Sequence, residues 1–239
     1  MFKHKIRVGY SQTDMNKKMT IKAIVDCFQD SSCFHSEEVG RGFDYLEPRN
    51  LVWILNFWQI EFTRFPKFAE YITVGTAPYE FKGYFGMRNF WIEDEQGEMI
   101  VKANSVWTHM DMKKQFPAKA GQEIIDAYGQ GEKIPMNYGP RKIKLPQDDE
   151  WSVEKMDEVE IKAYHLDSNH HVNNGQYISI ALSFLEDAEY KEIKVEYKKQ
   201  ALLGDVITPF IYRKDNTVIV TLCNAQKEPY AIVQVERVG

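Results

Sequence analysis

Paired cysteines are missing from this sequence. Cys27, Cys33 and Cys223 are odd in number and form no Cys-x-x-Cys pair, so neither a disulfide framework nor a zinc ribbon is supported. A reducing, cytoplasmic compartment is the expectation. An excess of positive charge is missing as well: the formal net charge is −5, which leaves no footprint for a phosphate backbone and argues against general nucleic-acid binding. Long apolar runs are missing too. The longest, Leu51 to Leu55 and on past Asn56 to Trp58, is far below the roughly 20 residues that cross a bilayer. Met1 to Val8 enters alternating positions at once, without the apolar core of a signal peptide, so a mature chain starting there is expected. Gly40-Arg-Gly42 and Gly83-Tyr-Phe-Gly86 lack the phosphate-loop pattern and read as a cap, a loop or close packing.

What is present is the composition of a folded protein, 44% apolar and 27% charged over 239 residues, enough for one large domain or two ordinary ones. Phe2, His4, Ile6, Val8 and Tyr10 alternate as a strand with one buried face. Thr20 then caps a helix whose stripe is Ile21, Ile24, Val25, Phe28 and Ser32, and which stops near Gly40. Strands are expected over 51–64, 71–82, 86–93 and 99–112, crowded with Trp53, Phe57, Trp58, Phe62, Phe90, Trp91 and Trp107, and with a hairpin turn at Asp94-Glu-Gln-Gly97. Residues 129–150 hold three glycines and three prolines among polar residues and read as a linker. After it the order begins again, with strands over 192–200, 206–214, 217–223 and 231–238.

The repetition is visible within the sequence. Asp14-Met-Asn16 and Asp167-Ser-Asn169 stand at one offset of 153 residues, while Ile60-Glu-Phe62 with Val195-Glu-Tyr197, and Glu70-Tyr-Ile72 with Asp205-Val-Ile207, stand at an offset of 135. Two copies of one unit, a helix against an antiparallel sheet, account for this most simply. At the first offset Lys18 faces His171, so only the second copy carries a group that titrates near neutral pH.

That position lies in the segment from His165 to Tyr177. Read as an extended segment, it sends Asp167, Asn169 and His171 from one face. Behind it Tyr177, Ile180, Ala181, Phe184, Leu185 and Ala188 recur at helical spacing, so a helix beginning near Asn173 or Asn174 is favoured over the hairpin that Asn174-Gly175 alone would suggest. His171 suits a general base; Asp167 can orient its ring, and Asn169 can hold water or a carbonyl. The helix start offers N–H groups for an oxyanion. The blander alternative is that the three residues cap a helix and satisfy a turn. A metal held by His165, Asp167, His170 and His171 is disfavoured, because His170 points away and no second ligand cluster follows; no cofactor is called for. The cysteines read as buried residues rather than nucleophiles.

At Asp167-x-Asn-x-His171-Val-Asn173-Asn174-x-x-Tyr177 the chain resembles the acyl-acyl carrier protein thioesterases, plant and bacterial enzymes of two tandem hotdog domains. Asn50 to Trp53, Arg64 to Pro66, Gly86 to Arg88, Ser105 to Trp107 and Val195 to Lys199 extend the resemblance over nearly the whole chain. It implies an α+β fold with a hotdog domain at 1–128 that houses the acyl chain, the linker 129–150, and a catalytic hotdog domain at 151–239. Plant members carry Glu, usually followed by Cys, where this chain has Gln200 and Ala201. Glu196 cannot substitute, since four residues along a strand are about 13 Å. The resemblance therefore implies hydrolysis of fatty acyl-acyl carrier protein through Asp167, Asn169 and His171, supported by Asn173 and Asn174, with Gln200 able to position water but not to deprotonate it. Acyl-CoA hydrolysis by a hotdog enzyme and non-catalytic acyl binding are the alternatives. The implied partner is an acidic carrier, for which Lys198 and Lys199, Arg141, Lys142 and Lys144, or Lys113 and Lys114 could form a basic docking patch. Two fused copies already form a pseudo-dimer, so monomer and homodimer are both compatible with the sequence.

Overall fold

The computed structural model describes residues 1–146, 150–186 and 188–238. It divides into two compact units, Met1–Tyr138 and Gly139–Gly239.

The first unit opens with β1 (Phe2–Arg7), whose apolar positions are half-buried and whose lysines and arginine are exposed, as the alternation predicts. Helix α1 (Ile21–Glu38) starts where Thr20 Oγ1 accepts the Ala23 N–H at 3.1 Å. It ends where Gly40, at φ +65°, turns the chain so that the Arg41 N–H reaches the Ser36 carbonyl. A short helix, α2 (Phe43–Leu46), leads into the strands β2 (Leu51–Phe62), β3 (Tyr71–Lys82), β4 (Phe85–Glu93) and β5 (Met99–Asp111), followed by β6 (Phe116–Pro117) and α3 (Gln122–Tyr128). Within the unit the sheet order is β1-β3-β4-β5-β2, antiparallel throughout. Phe28 of α1 meets Trp58 and Phe90 of the sheet at ring separations of 5.8 and 5.2 Å, and all three are fully buried. Each such burial stabilises by about 1.5–3 kcal/mol, so this contact holds helix to sheet.

The second unit repeats the plan with β7 (Ser152–Lys155), β8 (Val159–Glu160), α4 (Asn174–Leu182), β9 (Tyr190–Tyr197), β10 (Val206–Lys214), β11 (Thr217–Cys223) and β12 (Pro229–Arg237). Its order is β9-β12-β11-β10-β7, with β8 pairing β10, and α4 contacts β11 and β12. Tyr177, Ile180 and Ala181 are buried as the stripe predicts, but the helix stops at Leu182, short of Phe184, Leu185 and Ala188. At that end the Ser183 hydroxyl donates to the Ile180 carbonyl at 2.8 Å. Each unit is thus a helix on an antiparallel sheet, and the fold is α+β with two tandem hotdog domains.

The segment read as a linker has no regular element among its described residues, yet it is not a free connection. Its first part straps the first unit: the Asn137 N–H donates to Glu61 Oε1, Gln59 Nε2 to the Asn137 carbonyl, and Tyr138 Oη to Asn89 Oδ1. Its second part belongs to the second unit, where Ile143 packs on Ile219 and Ile232 and its N–H donates to Glu196 Oε2 at 3.0 Å. The division between Tyr138 and Gly139 falls inside the expected linker, and residues 147–149 of that linker lie outside the described residues. Glu196, occupied with the strap and with Lys198 Nζ at 2.5 Å, is committed elsewhere than the predicted site.

Candidate active site

The segment from Leu166 to Val172 is a tight turn, which corrects the extended reading. Leu166 and Val172 pair as an antiparallel bridge, the Asp167 N–H donates to the His171 carbonyl at 2.9 Å, and His170 takes the left-handed conformation at φ +60°. Asp167 Oδ1 accepts the N–H groups of Asn169 at 2.8 Å and His171 at 3.4 Å. An aspartate at the head of a turn satisfies the backbone ahead of it in just this way, and strand periodicity gives no warning of it. Asp167 and His171 still meet across the turn, through the backbone of His171. Asn169 stands at its exposed tip.

The first unit folds the corresponding residues identically. The Asp14 N–H donates to the Lys18 carbonyl, Asp14 Oδ1 accepts from Asn16 and Lys18, Thr13 bridges Met19, and Lys17 has φ +59°. Before the turn, Gln12 Oε1 accepts the Gly9 N–H at 2.8 Å, as His165 Nδ1 accepts the Lys162 N–H at 3.0 Å. After it, Thr20 donates its N–H to the Gln12 carbonyl, as Asn173 does to that of His165. The second offset holds too: Met19 donates to Pro66 and Val172 to Ala201, while Ala69 at φ +67° and Gly204 at φ +83° occupy matching turns. Asp14 and Asp167 therefore share one scaffolding task. What differs between the copies is the imidazole of His171, half-buried, against the lysine of the first unit.

Asn173 caps α4, its Oδ1 accepting the Gly175 N–H at 2.8 Å, and its carbonyl accepts the Gln176 N–H at 2.9 Å. Helix entry at 173–174 is as expected, but two of the amides proposed for an oxyanion are already occupied. The Asn174 carbonyl accepts from Tyr197 Oη at 3.0 Å. Gln200 is exposed and lies just beyond β9. It is drawn to the turn through its neighbour: the Ala201 carbonyl accepts the Val172 N–H at 3.1 Å, and the Ala201 N–H donates to Tyr177 Oη at 2.8 Å.

Sequence reasoning counts Tyr177 as a position of the apolar stripe and of the family motif, and misses its hydroxyl contact. Extending the 153-residue offset would have flagged the residue but not its partner, because Tyr177 falls opposite Ile24. His165 carries its own backbone hydrogen bond, and burial lowers its pKa below the ordinary imidazole value. Burial pushes the Cys27 thiol up to about 12 and raises those of Cys33 and Cys223, so none of the three is poised as a thiolate nucleophile. Among the described residues no group of three or more potential metal ligands forms, and no helix is long and apolar enough to cross a membrane.

Of the basic candidates, Lys142, Lys144 and Lys198 line one open groove of about 650 Å³ floored by Ile143, Trp151 and Ile232. Lys113 and Lys114 instead donate their backbone N–H groups to Asp111 at the turn after β5, and Lys114 also pairs its ammonium with that residue.

Comparisons with known proteins match both units. The model of the acyl-ACP thioesterase N-terminal domain covers residues 1–128 and that of the C-terminal domain residues 148–232. An oleoyl-acyl carrier protein thioesterase of Arabidopsis thaliana is 25% identical over 86% of this chain and 61% of its own length. A palmitoyl-acyl carrier protein thioesterase of Gossypium hirsutum is 27% identical over 92% of this chain and 56% of its own. Both are chloroplastic, and the chain spans somewhat more than half of each. Among solved structures, an acyl-ACP thioesterase from Bacteroides thetaiotaomicron superposes with a TM-score of 0.89 at 23% identity, covering 98% of this chain and 96% of that one. A 12:0-ACP thioesterase from Umbellularia californica gives 0.80 at 16%, with the same coverages.

Proposed function

The chain belongs to the acyl-ACP thioesterase family, and from that premise we propose that it hydrolyses fatty acyl-acyl carrier protein to free fatty acid with water activated at His171. The observation that carries this reading is internal. Two turns with the same hydrogen bonds differ by an imidazole at the one position where a general base is needed. The His171 imidazole takes a proton from water as the oxygen attacks the thioester carbonyl. The carbon–sulfur bond then breaks, and the imidazolium returns the proton to the departing sulfur, leaving fatty acid and carrier thiol. No acyl-enzyme forms.

In this reading Asp167, opposite His171 across the turn, stabilises the imidazolium, and Asn169 holds the carbonyl or the water. Gln200 positions the water without accepting its proton. Asn173 and Asn174 set the helix entry beside the base. The division of labour between an acyl-binding region at 1–128 and a catalytic one at 151–239 is part of the proposal. So is docking of an acidic carrier on the Lys142–Lys144–Lys198 groove. Cytoplasmic action fits three unbridged cysteines.

His171→Ala tests the assignment, with a cost on the order of 10²–10⁴ in kcat expected for loss of the base. Full activity in that variant, or a trapped covalent acyl-enzyme, would refute it. Running carrier-bound and CoA-bound acyl thioesters side by side separates this reading from acyl-CoA hydrolysis, and turnover of neither leaves acyl binding.

A further inference from the structure

The two units differ at a second pair of positions, and the pair is coordinated. Ala201 is fully buried and held from both sides, its carbonyl by the Val172 N–H and its own N–H by Tyr177 Oη. In the first unit the carbonyl contact recurs, with the Met19 N–H donating to Pro66 at 2.7 Å. The other contact has no counterpart: Ile24 stands where the second unit has Tyr177 and brings no hydroxyl, and Pro66 stands where it has Ala201 and brings no N–H. The fold satisfies this position without the hydrogen bond. Only the unit that bears His171 makes it.

The bond acts on Gln200. The Ala201 N–H lies in the same rigid peptide plane as the Gln200 carbonyl, so fixing that N–H fixes the plane from which the Gln200 side chain departs. Tyr177 itself is buried, one turn into the helix that begins three residues after His171, with its ring edge-on to that of Tyr197 at 5.9 Å. Tyr197 in turn donates to the Asn174 carbonyl, so both phenols join the strand end to the helix start. Burial pushes the Tyr177 phenol up to about 12, which keeps it a neutral acceptor for the amide over the working range of pH.

We propose that Tyr177 is a positioning residue, whose hydroxyl, through the Ala201 N–H, holds Gln200 in register with His171. The proposal rests on the thioesterase reading and adds to it a reason why an exposed glutamine beyond a strand end can serve a water at the turn.

The test is a pair of variants on acyl-carrier substrate, read by kcat, KM and Tm. Tyr177→Phe leaves a buried N–H without an acceptor, so Tm should fall by roughly 4 °C. The resulting misplacement should lower kcat between about tenfold and about a hundredfold with KM little changed. Tyr177→Phe with Ala201→Pro leaves neither hydroxyl nor N–H, as Ile24 and Pro66 do in the first unit, and so removes the orphaned donor. Tm should then recover while kcat stays low. Recovery of kcat together with Tm, or a Tyr177→Phe enzyme within twofold of wild type, would overturn the positioning role. If the double variant does not fold, Ala201→Pro alone removes the same donor, and full kcat there is equally fatal to the idea. A wild-type protein that hydrolyses no thioester would overturn the thioesterase reading and this role together, whereas normal wild-type turnover with insensitive variants overturns this role alone.

Discussion

Removing the carboxylate from Asp14 and from Asp167 separates scaffold from catalysis, because the two residues hold the same turn in two copies. Each Oδ1 accepts two backbone N–H groups, at 2.8 and 2.9 Å in the first unit and at 2.8 and 3.4 Å in the second. The released amides lie in solvent-accessible turns and turn to water, so the loss should resemble that of a helix cap, about 0.5–2 kcal/mol. For a chain of this length that is about 2–4 °C in Tm per kcal/mol. Asp14→Ala and Asp167→Ala should therefore lower Tm by similar amounts, with Asp14 slightly the costlier because both its contacts are short. Their effects on turnover should part. Asp14→Ala should leave kcat within about twofold, while Asp167→Ala, which in the proposed mechanism also strips the imidazolium of its partner, should lose at least about a hundredfold. Asp167→Asn sharpens the comparison, since it keeps an acceptor oxygen and removes the charge; it should restore most of the Tm and little of the kcat. Differential scanning calorimetry and steady-state assays on the same preparations supply both readouts. If Asp167→Ala loses no more activity than Asp14→Ala, the aspartate is a turn residue only, and its catalytic assignment is wrong.

Two further outcomes follow from the charges. Lys142→Glu with Lys144→Glu should raise KM for carrier-bound substrate about tenfold, at the low end of electrostatic steering, and flatten its dependence on salt, while a pantetheine thioester is turned over as before; an equal effect from Lys113→Glu with Lys114→Glu would remove the groove as the docking surface. His35, buried in the first unit, accepts from Arg88 Nη1 at 3.0 Å through Nδ1 and must be neutral to do so; burial and the guanidinium lower its pKa to about 3. A histidine depressed in the fold from about 6.5 contributes stability that is complete above that value and is lost as pH falls toward 3, at up to about 1.4 kcal/mol per unit. Urea midpoints between pH 6.5 and 4.5 should fall more steeply for wild type than for His35→Gln, and parallel slopes would show that His35 does not carry this acid limb.

The elements of the fold were legible because they rest on local signals. Thr20, the Ile24–Phe28 stripe and Gly40 each act within a turn or two of the helix they bound, and the strand alternation of β1 is written in adjacent residues. The family motif was legible for the same reason. The shape of that motif was not, since period-two reasoning sees spacing but not that Asp167 spends its carboxylate on the backbone two and four residues ahead. The Tyr177–Ala201 contact joins residues separated by the whole of β9, and no window of sequence contains both ends.

A duplicated chain is its own control, and function is better read from where the copies part than from where they agree. Agreement between Asp14 and Asp167, or between Asn16 and Asn169, is what two folds of one kind require, and it would look the same if neither copy did chemistry. The departures are different in kind. Lys18 against His171 changes what can accept a proton, and Ile24 with Pro66 against Tyr177 with Ala201 changes what is held in place. They converge on one turn, the helix that follows it and the strand end that closes on it, and a drift without function has no reason to place a buried hydrogen bond on the turn that bears His171. Gln200, where plant members carry Glu, lies at that same strand end. In the proposed mechanism, with no acid there to share the proton, His171 is the base and the contribution of Gln200 is geometry, which is the property that a fixed peptide plane supplies.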